Sequence, residues 1–248
     1  MTPTPRILYV HDDLTDDIRE RHGAGSDANR AARELLACIA RDARRIRILT
    51  LEEQLAGLAA HRHAPFAVAV GIGRAGERVA RHVHARTGWF PAIERVELTR
   101  EEDGDAYVLS TLGRPPLEAQ LAPFTAAASI AVVDDTVFSG LTMTATLKAL
   151  GAALARAHVF CLRAVAESLA SVETLCPASA GFVAHGRLLD DVSFINASGL
   201  VRRGAIRRIG QTPLAFHERP EWMRAWFLDD ADDIVARCGA LARLLGER

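Results

Sequence analysis

Residues 130–142 read IAVVDDTVFSGLT: four apolar residues, two adjacent carboxylates, a three-residue spacer and a turn of small hydroxyl residues around Gly140. The apolar run suits a strand covered on both faces, expected over residues 130–133, with Asp134 and Asp135 at its tip. Residues 139–142 then open a helix expected to reach residue 155, and they offer hydroxyls and consecutive N–H groups to a phosphate at a helix start. The two acids cannot bind that phosphate. They can accept hydrogen bonds from vicinal hydroxyls or help hold a hydrated Mg²⁺. A ligand with a phosphate at one end and a diol beside it is a ribose 5-phosphate.

Working outward, the apolar run FAVAVGI at residues 66–72 predicts a second fully covered strand, ended by glycines. Its exit, VGIGRAG at residues 70–76, lets backbone N–H groups approach an anion, adds the charge of Arg74 and places a helix N-terminus just behind. Further strands are expected over residues 6–10, 46–50, 93–98, 158–164 and 181–184. Helices are expected over 26–44, 51–62, 76–87 and 230–245, with Ser26 as a cap and Thr50 with Glu53 at capping-box spacing. Residues 99–110, TREEDGDAYVLS, carry a Gly104 turn between β-prone segments and predict a hairpin with a charged, mobile tip. Repeated strand-helix units imply a three-layer, doubly wound α/β fold around a mostly parallel sheet. Past His185 the pattern becomes irregular, basic and rich in turn residues, which predicts a cap rather than sheet.

A chain of 248 residues, 49% of them hydrophobic, suffices for one large α/β core or a core with a small appended unit. A formal net charge of −1 argues against a dedicated nucleic-acid binder. Cys38, Cys161, Cys176 and Cys238 lack metal-like spacing and are expected as reduced, buried thiols. With no signal-peptide pattern and no apolar run of membrane-spanning length, the expectation is a soluble, cytoplasmic protein without membrane or nucleic-acid partners.

RILYVHDD at residues 6–13 is also compatible with the start of a phosphoacceptor receiver domain. Such a domain needs a lysine after a later strand, and the only lysine here is Lys148, inside the helix that follows the acid pair. That weakens the receiver reading.

Residues 130–142 resemble the PRPP-binding motif of the type I phosphoribosyltransferases: four apolar residues, two acids, a spacer, then a small residue, Gly, any residue and Ser or Thr. The resemblance covers roughly residues 60–195. It implies a phosphoribosyltransferase-like core over residues 61–185, an N-terminal extension over 1–60 packed on that core, and a C-terminal hood over 186–248. It also implies an antiparallel edge strand, which residues 107–110 can supply.

The same resemblance implies roles. Asp134 and Asp135 would bind the ribose hydroxyls, while Thr136, Phe138, Ser139, Gly140, Leu141 and Thr142 would wrap the 5-phosphate. Gly71, Gly73, Arg74 and Ala75 would form the pyrophosphate loop. Arg100 on the hairpin would close over pyrophosphate, with Arg114 as second choice. Asp191, or its neighbour Asp190, sits where some members place an acid near Mg-pyrophosphate, and Mg²⁺ is the implied cofactor. Phe194 and Phe216 are the candidates to sandwich an aromatic acceptor. A homodimer is the implied assembly.

Two departures limit the parallel. Many relatives carry lysine in the mobile loop, and this chain has none there. Purine-salvage members place an acid where Phe138 stands, which argues against a 6-oxopurine acceptor and leaves the acceptor open.

The implied activity is transfer of a 5-phosphoribosyl group from PRPP to an acceptor, expected to be a nitrogen heterocycle, with release of pyrophosphate. The alternative is a non-catalytic PRPP or nucleotide sensor; hydrolysis or phosphorolysis in the reverse sense would use the same pocket. Other clusters are weaker. His61 with His63, and His11 with Asp12 and Asp13, read more readily as solvated loops than as metal ligands. The basic run at residues 202–208 is expected as a cap surface or an acceptor-phosphate clamp. Trp222, Trp226 and Phe227 have helical spacing and are expected in the core.

Overall fold

Val68–Ile72 and the first half of Ile130–Val137 are unbroken apolar runs, and every side chain in them is buried on either face of its strand. Such strands require a helical layer on each side. A computed structural model describes residues 4–104 and 106–247 and supplies those layers. In chain order the elements are β1 (Ile7–Asp12), α1 (Thr15–His22), α2 (Asp27–Ile39), β2 (Ile46–Thr50), α3 (Leu51–Ala59), β3 (Val68–Ile72), α4 (Gly73–Thr87), β4 (Ile93–Val96), β5 (Thr99–Asp103), β6 (Ala106–Ser110), α5 (Leu117–Leu121), β7 (Ile130–Val137), α6 (Leu141–Ala149), β8 (Ala157–Val165), α7 (Ala166–Glu173), β9 (Ala178–Ala184), β10 (Val192–Asn196), α8 (Ala197–Val201), α9 (Pro220–Phe227) and α10 (Ala231–Leu244). None of these helices is long and apolar enough to cross a membrane.

The chain divides into two units. One comprises Glu52–Arg100 and Tyr107–Leu188; the other comprises Met1–Leu51, Glu101–Ala106 and Leu189–Arg248. The first is built on a five-stranded sheet in the order β4-β3-β7-β8-β9, parallel throughout. Residues of α5, α6 and α7 close a hydrophobic cluster with Val70, Ile130, Val132 and Val159, while α4 packs on β3 and β7. Three-layer, mostly parallel α/β architecture is therefore what the chain adopts.

The second unit has its own parallel sheet, β10-β1-β2, and its own core around Leu8, Leu35, Ile195, Met223 and Trp226. This corrects the expectation of a cap rather than sheet after His185: Val192–Asn196 is a strand, in register from Ile7↔Val192 to His11↔Asn196. Strands from the expected extension (residues 1–60) and from the expected hood (residues 186–248) thus meet in one sheet.

The antiparallel element also differs from expectation. β5 and β6 form a two-stranded sheet of their own, a hairpin turned at Gly104 (φ +60°), and the five-stranded sheet ends on β4 and β9. An edge strand from residues 107–110 is not part of that sheet. Asp105, beside the turn, lies outside the described residues, as do residues 1–3 and 248.

Candidate functional site

Numbering only the strands of the larger sheet, its order is 2-1-3-4-5, so the direction of winding reverses between β3 and β7. In open parallel sheets the ligand crevice lies beyond the carboxyl ends of the strands at that reversal. β3 pairs with β7 as far as Gly71↔Val133 and then turns into α4. On its other side β7 stays paired with β8 as far as Val137↔Ala164. Asp134 and Asp135 therefore lie within β7 rather than past its tip, on the stretch that β3 no longer covers.

The two acids are held differently. Asp134 is half-buried, and loss of solvent pushes its carboxyl well above the usual carboxylate range; the neighbouring charge of Asp135 pushes the same way, and the charge of Arg100 partly offsets both. The Asp135 N–H donates to Asp134 Oδ1 at 2.8 Å. Asp135 is gripped by Arg163, whose Nη2 donates to Oδ2 at 3.1 Å from a side chain that is 0% exposed. Adjacent carboxylates in such a crevice repel each other. A hydroxyl donor or a cation between them relieves that repulsion.

Immediately after the acids, Phe138, Ser139 and Gly140 form a bend, and Gly140 is the N-cap of α6 in the left-handed region (φ +74°). A Cβ at Gly140 would meet nothing closer than 3.8 Å, so conformation rather than space favours glycine there. Thr144 N–H donates to the Gly140 carbonyl at 2.8 Å, closing the first helical turn. The N–H groups of Leu141, Thr142 and Met143 precede any i−4 partner within the helix, as in every first turn. Ser139 and Leu141 are exposed and Thr142 is half-buried.

The second loop differs from its sequence reading. No open loop separates β3 from α4, because Ile72 ends one and Gly73 (φ +59°) begins the other. Gly71 and Gly76 are packing residues: a Cβ on Gly71 would lie 2.3 Å from the Glu77 nitrogen, and one on Gly76 2.3 Å from the Val133 carbonyl oxygen. They let the start of α4 sit against β3 and β7. Arg74 is exposed and Ala75 half-buried on that first turn.

Arg100, in β5, lies over the Tyr107 ring at 5.5 Å and is near enough to Asp134 to act on its carboxyl. Arg114 is exposed in the turn after β6, where its N–H donates to the Thr111 carbonyl. Glu102, near the end of β5, is tied to distant residues. Glu102 N–H donates to the Arg207 carbonyl at 2.8 Å, the Ile209 N–H donates to the Glu102 carbonyl at 3.2 Å, and the Glu102 carboxylate pairs with Arg219 at 3.2 Å. Near its turn, β5 thus pairs with a segment about a hundred residues away in sequence. The basic run is likewise engaged in ion pairs: Arg202 with Asp17, Arg203 with Glu218 and Arg208 with Glu102.

Three further candidates fall in the smaller unit. Asp191 lies in the turn just before β10 and pairs with Arg6 at 3.3 Å. Phe194 is buried in β10 with its ring 5.2 Å from that of Tyr9, and Phe216 packs on Trp222 and Trp226. Asp12 accepts from the N–H of Thr15 at 2.9 Å at the start of α1, and Asp13 accepts from the Ser198 N–H at 2.8 Å at the start of α8. Those contacts give both acids a structural role. Among the described residues no group of three His, Cys, Asp or Glu side chains is arranged to hold a metal. His61 and His63 instead meet His158 near the amino ends of the strands.

Sequence reading passed over Arg163. Its signal was a lone arginine in the apolar strand expected over residues 158–164, where a buried charge demands a partner.

No family model matches this chain, and no curated protein does. Among solved structures, it is similar to a hypothetical protein from Neisseria gonorrhoeae with bound ppGpp, at 15% identity over 58% of this chain and 81% of that one (TM-score 0.40). It is similar to a purine phosphoribosyltransferase from Pyrococcus horikoshii Ot3, at 18% identity over 59% and 89% (TM-score 0.37). A third similar structure is the xanthine-guanine-hypoxanthine phosphoribosyltransferase of Helicobacter pylori, at 15% identity over 58% and 86% (TM-score 0.36).

Proposed function

We propose that this protein transfers a 5-phosphoribosyl group from PRPP to a nitrogen heterocycle and releases pyrophosphate. The observation that carries the reading is the succession, along β7 and into α6 at the reversal of strand order, of an acid pair whose Asp134 is desolvated and a glycine-capped helix start. The acids suit a ribose diol and the helix start suits the 5-phosphate. In the reaction the bond from the anomeric carbon to pyrophosphate breaks, the acceptor nitrogen bonds to that carbon, and the acceptor's proton is lost. Negative charge grows on the departing pyrophosphate, so cationic and N–H donors accelerate the step without a protein nucleophile. Arg100 and the first turn of α4 are the groups assigned to that charge.

Adjacent carboxylates, one of them desolvated, also suit a cation. Asp134 and Asp135 would hold Mg²⁺, partly through water and together with the ligand's own oxygens, and the ion would supply further neutralisation of pyrophosphate.

Incubation with PRPP, Mg²⁺ and a panel of heterocycles is expected to release pyrophosphate with at least one of them. Crystals soaked in ribose 5-phosphate are expected to carry its phosphate on the N–H groups of residues 139–142; a ligand bound elsewhere would refute the site. Arg100→Ala is expected to lower turnover about a hundredfold while changing PRPP affinity less than about threefold. Equal losses in both would remove Arg100 from the transition state.

One observation favours the alternative of a PRPP or nucleotide sensor. The tying of Glu102 in β5 to Arg207, Ile209 and Arg219 is what a binding protein without a catalytic lid would carry. PRPP binding with no pyrophosphate release across the panel would select that alternative.

A further inference from the structure

β8 is apolar and buried almost throughout, yet it carries Arg163 with a side chain that is 0% exposed. Desolvating a guanidinium is costly, and replacing a buried ion pair with apolar residues often leaves a protein as stable or more so. Fold stability alone therefore does not call for this arginine.

Two of its contacts link the core to the acid pair. Nη1 donates to Gln54 Oε1 at 3.4 Å and Nη2 to Asp135 Oδ2 at 3.1 Å. Gln54 is itself 0% exposed, on α3. α3 can lie close enough to the sheet to place it there because two glycines face each other: a Cβ on Gly57 would sit 2.1 Å from the Gly181 carbonyl oxygen, and one on Gly181 2.0 Å from the Gln54 carbonyl oxygen. Three elements, α3, β8 and β9, thus combine to orient one carboxylate on the exposed stretch of β7.

We propose that Arg163, braced by Gln54, is the positioning residue of the ribose site, fixing the Asp135 carboxylate in one orientation so that it accepts a hydrogen bond from a ribose hydroxyl. This rests on the reading of residues 134–142 as a ribose 5-phosphate site. A bidentate-capable, permanently charged guanidinium suits the task, whereas an ammonium cannot hold two acceptors in the same fixed plane.

The readout is hydroxyl discrimination, which a purely structural arginine would not control. Calorimetric titration compares ribose 5-phosphate with 2,3-dideoxyribose 5-phosphate on the wild type, Arg163→Met, Arg163→Lys and Gln54→Leu. The wild type is expected to prefer the hydroxylated ligand by at least about tenfold. Arg163→Met should lose most of that preference while keeping its affinity for the dideoxy ligand, since the phosphate loop is untouched. Arg163→Lys and Gln54→Leu, which disturb the core less, should each reduce the preference about threefold or more and decide the matter if Arg163→Met does not fold. Full preference in the folded variants overturns the positioning role and leaves the ribose site standing. No preference in the wild type overturns the ribose site itself, and this proposal with it.

Discussion

Replacing both Asp134 and Asp135 with Asn is expected to weaken PRPP binding by at least about tenfold while leaving a folded protein. Each substitution keeps the size of the side chain and one acceptor but removes a charge. A hydrogen bond to a charged group contributes about 1.5–3 kcal/mol, so losing the charge assistance at two hydroxyl contacts is large on the scale of ligand affinity. The single variants separate binding from stability. Asp134→Asn removes a carboxyl whose ionisation burial and Asp135 both oppose, so it should raise the melting temperature. Asp135→Asn leaves Arg163 buried against a neutral amide and should lower it, because removing one charge of a buried pair strands the other. Calorimetric titration with PRPP and Mg²⁺, alongside thermal melts, reads both effects. The stability shifts follow from burial and from Arg163 whatever the pair binds, so affinity decides: unchanged PRPP binding in a folded double variant would dispose of the ribose site.

What was legible in the sequence follows the range of the interactions involved. β3 and β7 were legible because continuous apolar runs have one physical solution, a strand covered on both faces. The acid pair and the Gly140 turn were legible because a strand, two carboxylates and a helix start are consecutive in the chain. The support beneath them was not. Gln54, Arg163 and Gly181 come from α3, β8 and β9, and only folding brings them to Asp135. Gly71 and Gly76 show a related limit: a glycine needed for close helix packing leaves the same letter in the sequence as one that admits an anion. β10 was missed because VSFIN is short and embedded among turn residues, and its pairing partner lies at the other end of the chain. The hairpin tip was read from its charge alone, whereas Glu102 finds its counterions at Arg208 and Arg219.

Acidification is expected to destabilise the larger unit through a histidine cluster near the amino ends of its strands. The Nε2 atoms of His63 and His158 lie 3.1 and 2.9 Å from the single hydroxyl of Ser179, which is buried. The rings of Trp89 and Phe160 surround His63 at 5.0 and 4.9 Å. Burial pushes the His158 imidazole down from 6.5 to about 4, with the charges of His63 and His61 acting the same way, and burial also lowers His63. The native state therefore prefers neutral rings, while the unfolded chain takes up protons from about pH 6.5 downward. Stability is fully present above pH 6.5, falls as the pH drops from 6.5 toward 4, and levels off once His158 protonates in the folded protein as well. Across pH 7.5 to 4.5 the loss through His158 is on the order of 2 kcal/mol, allowing for its partial exposure. His158→Gln cannot titrate but can still hydrogen-bond Ser179, so it should remove most of this increment while carboxylates elsewhere titrate as before. Urea denaturation of both proteins at the two pH values measures the difference directly. Parallel stability profiles for the wild type and His158→Gln would show that His158 titrates alike in the folded and unfolded chain.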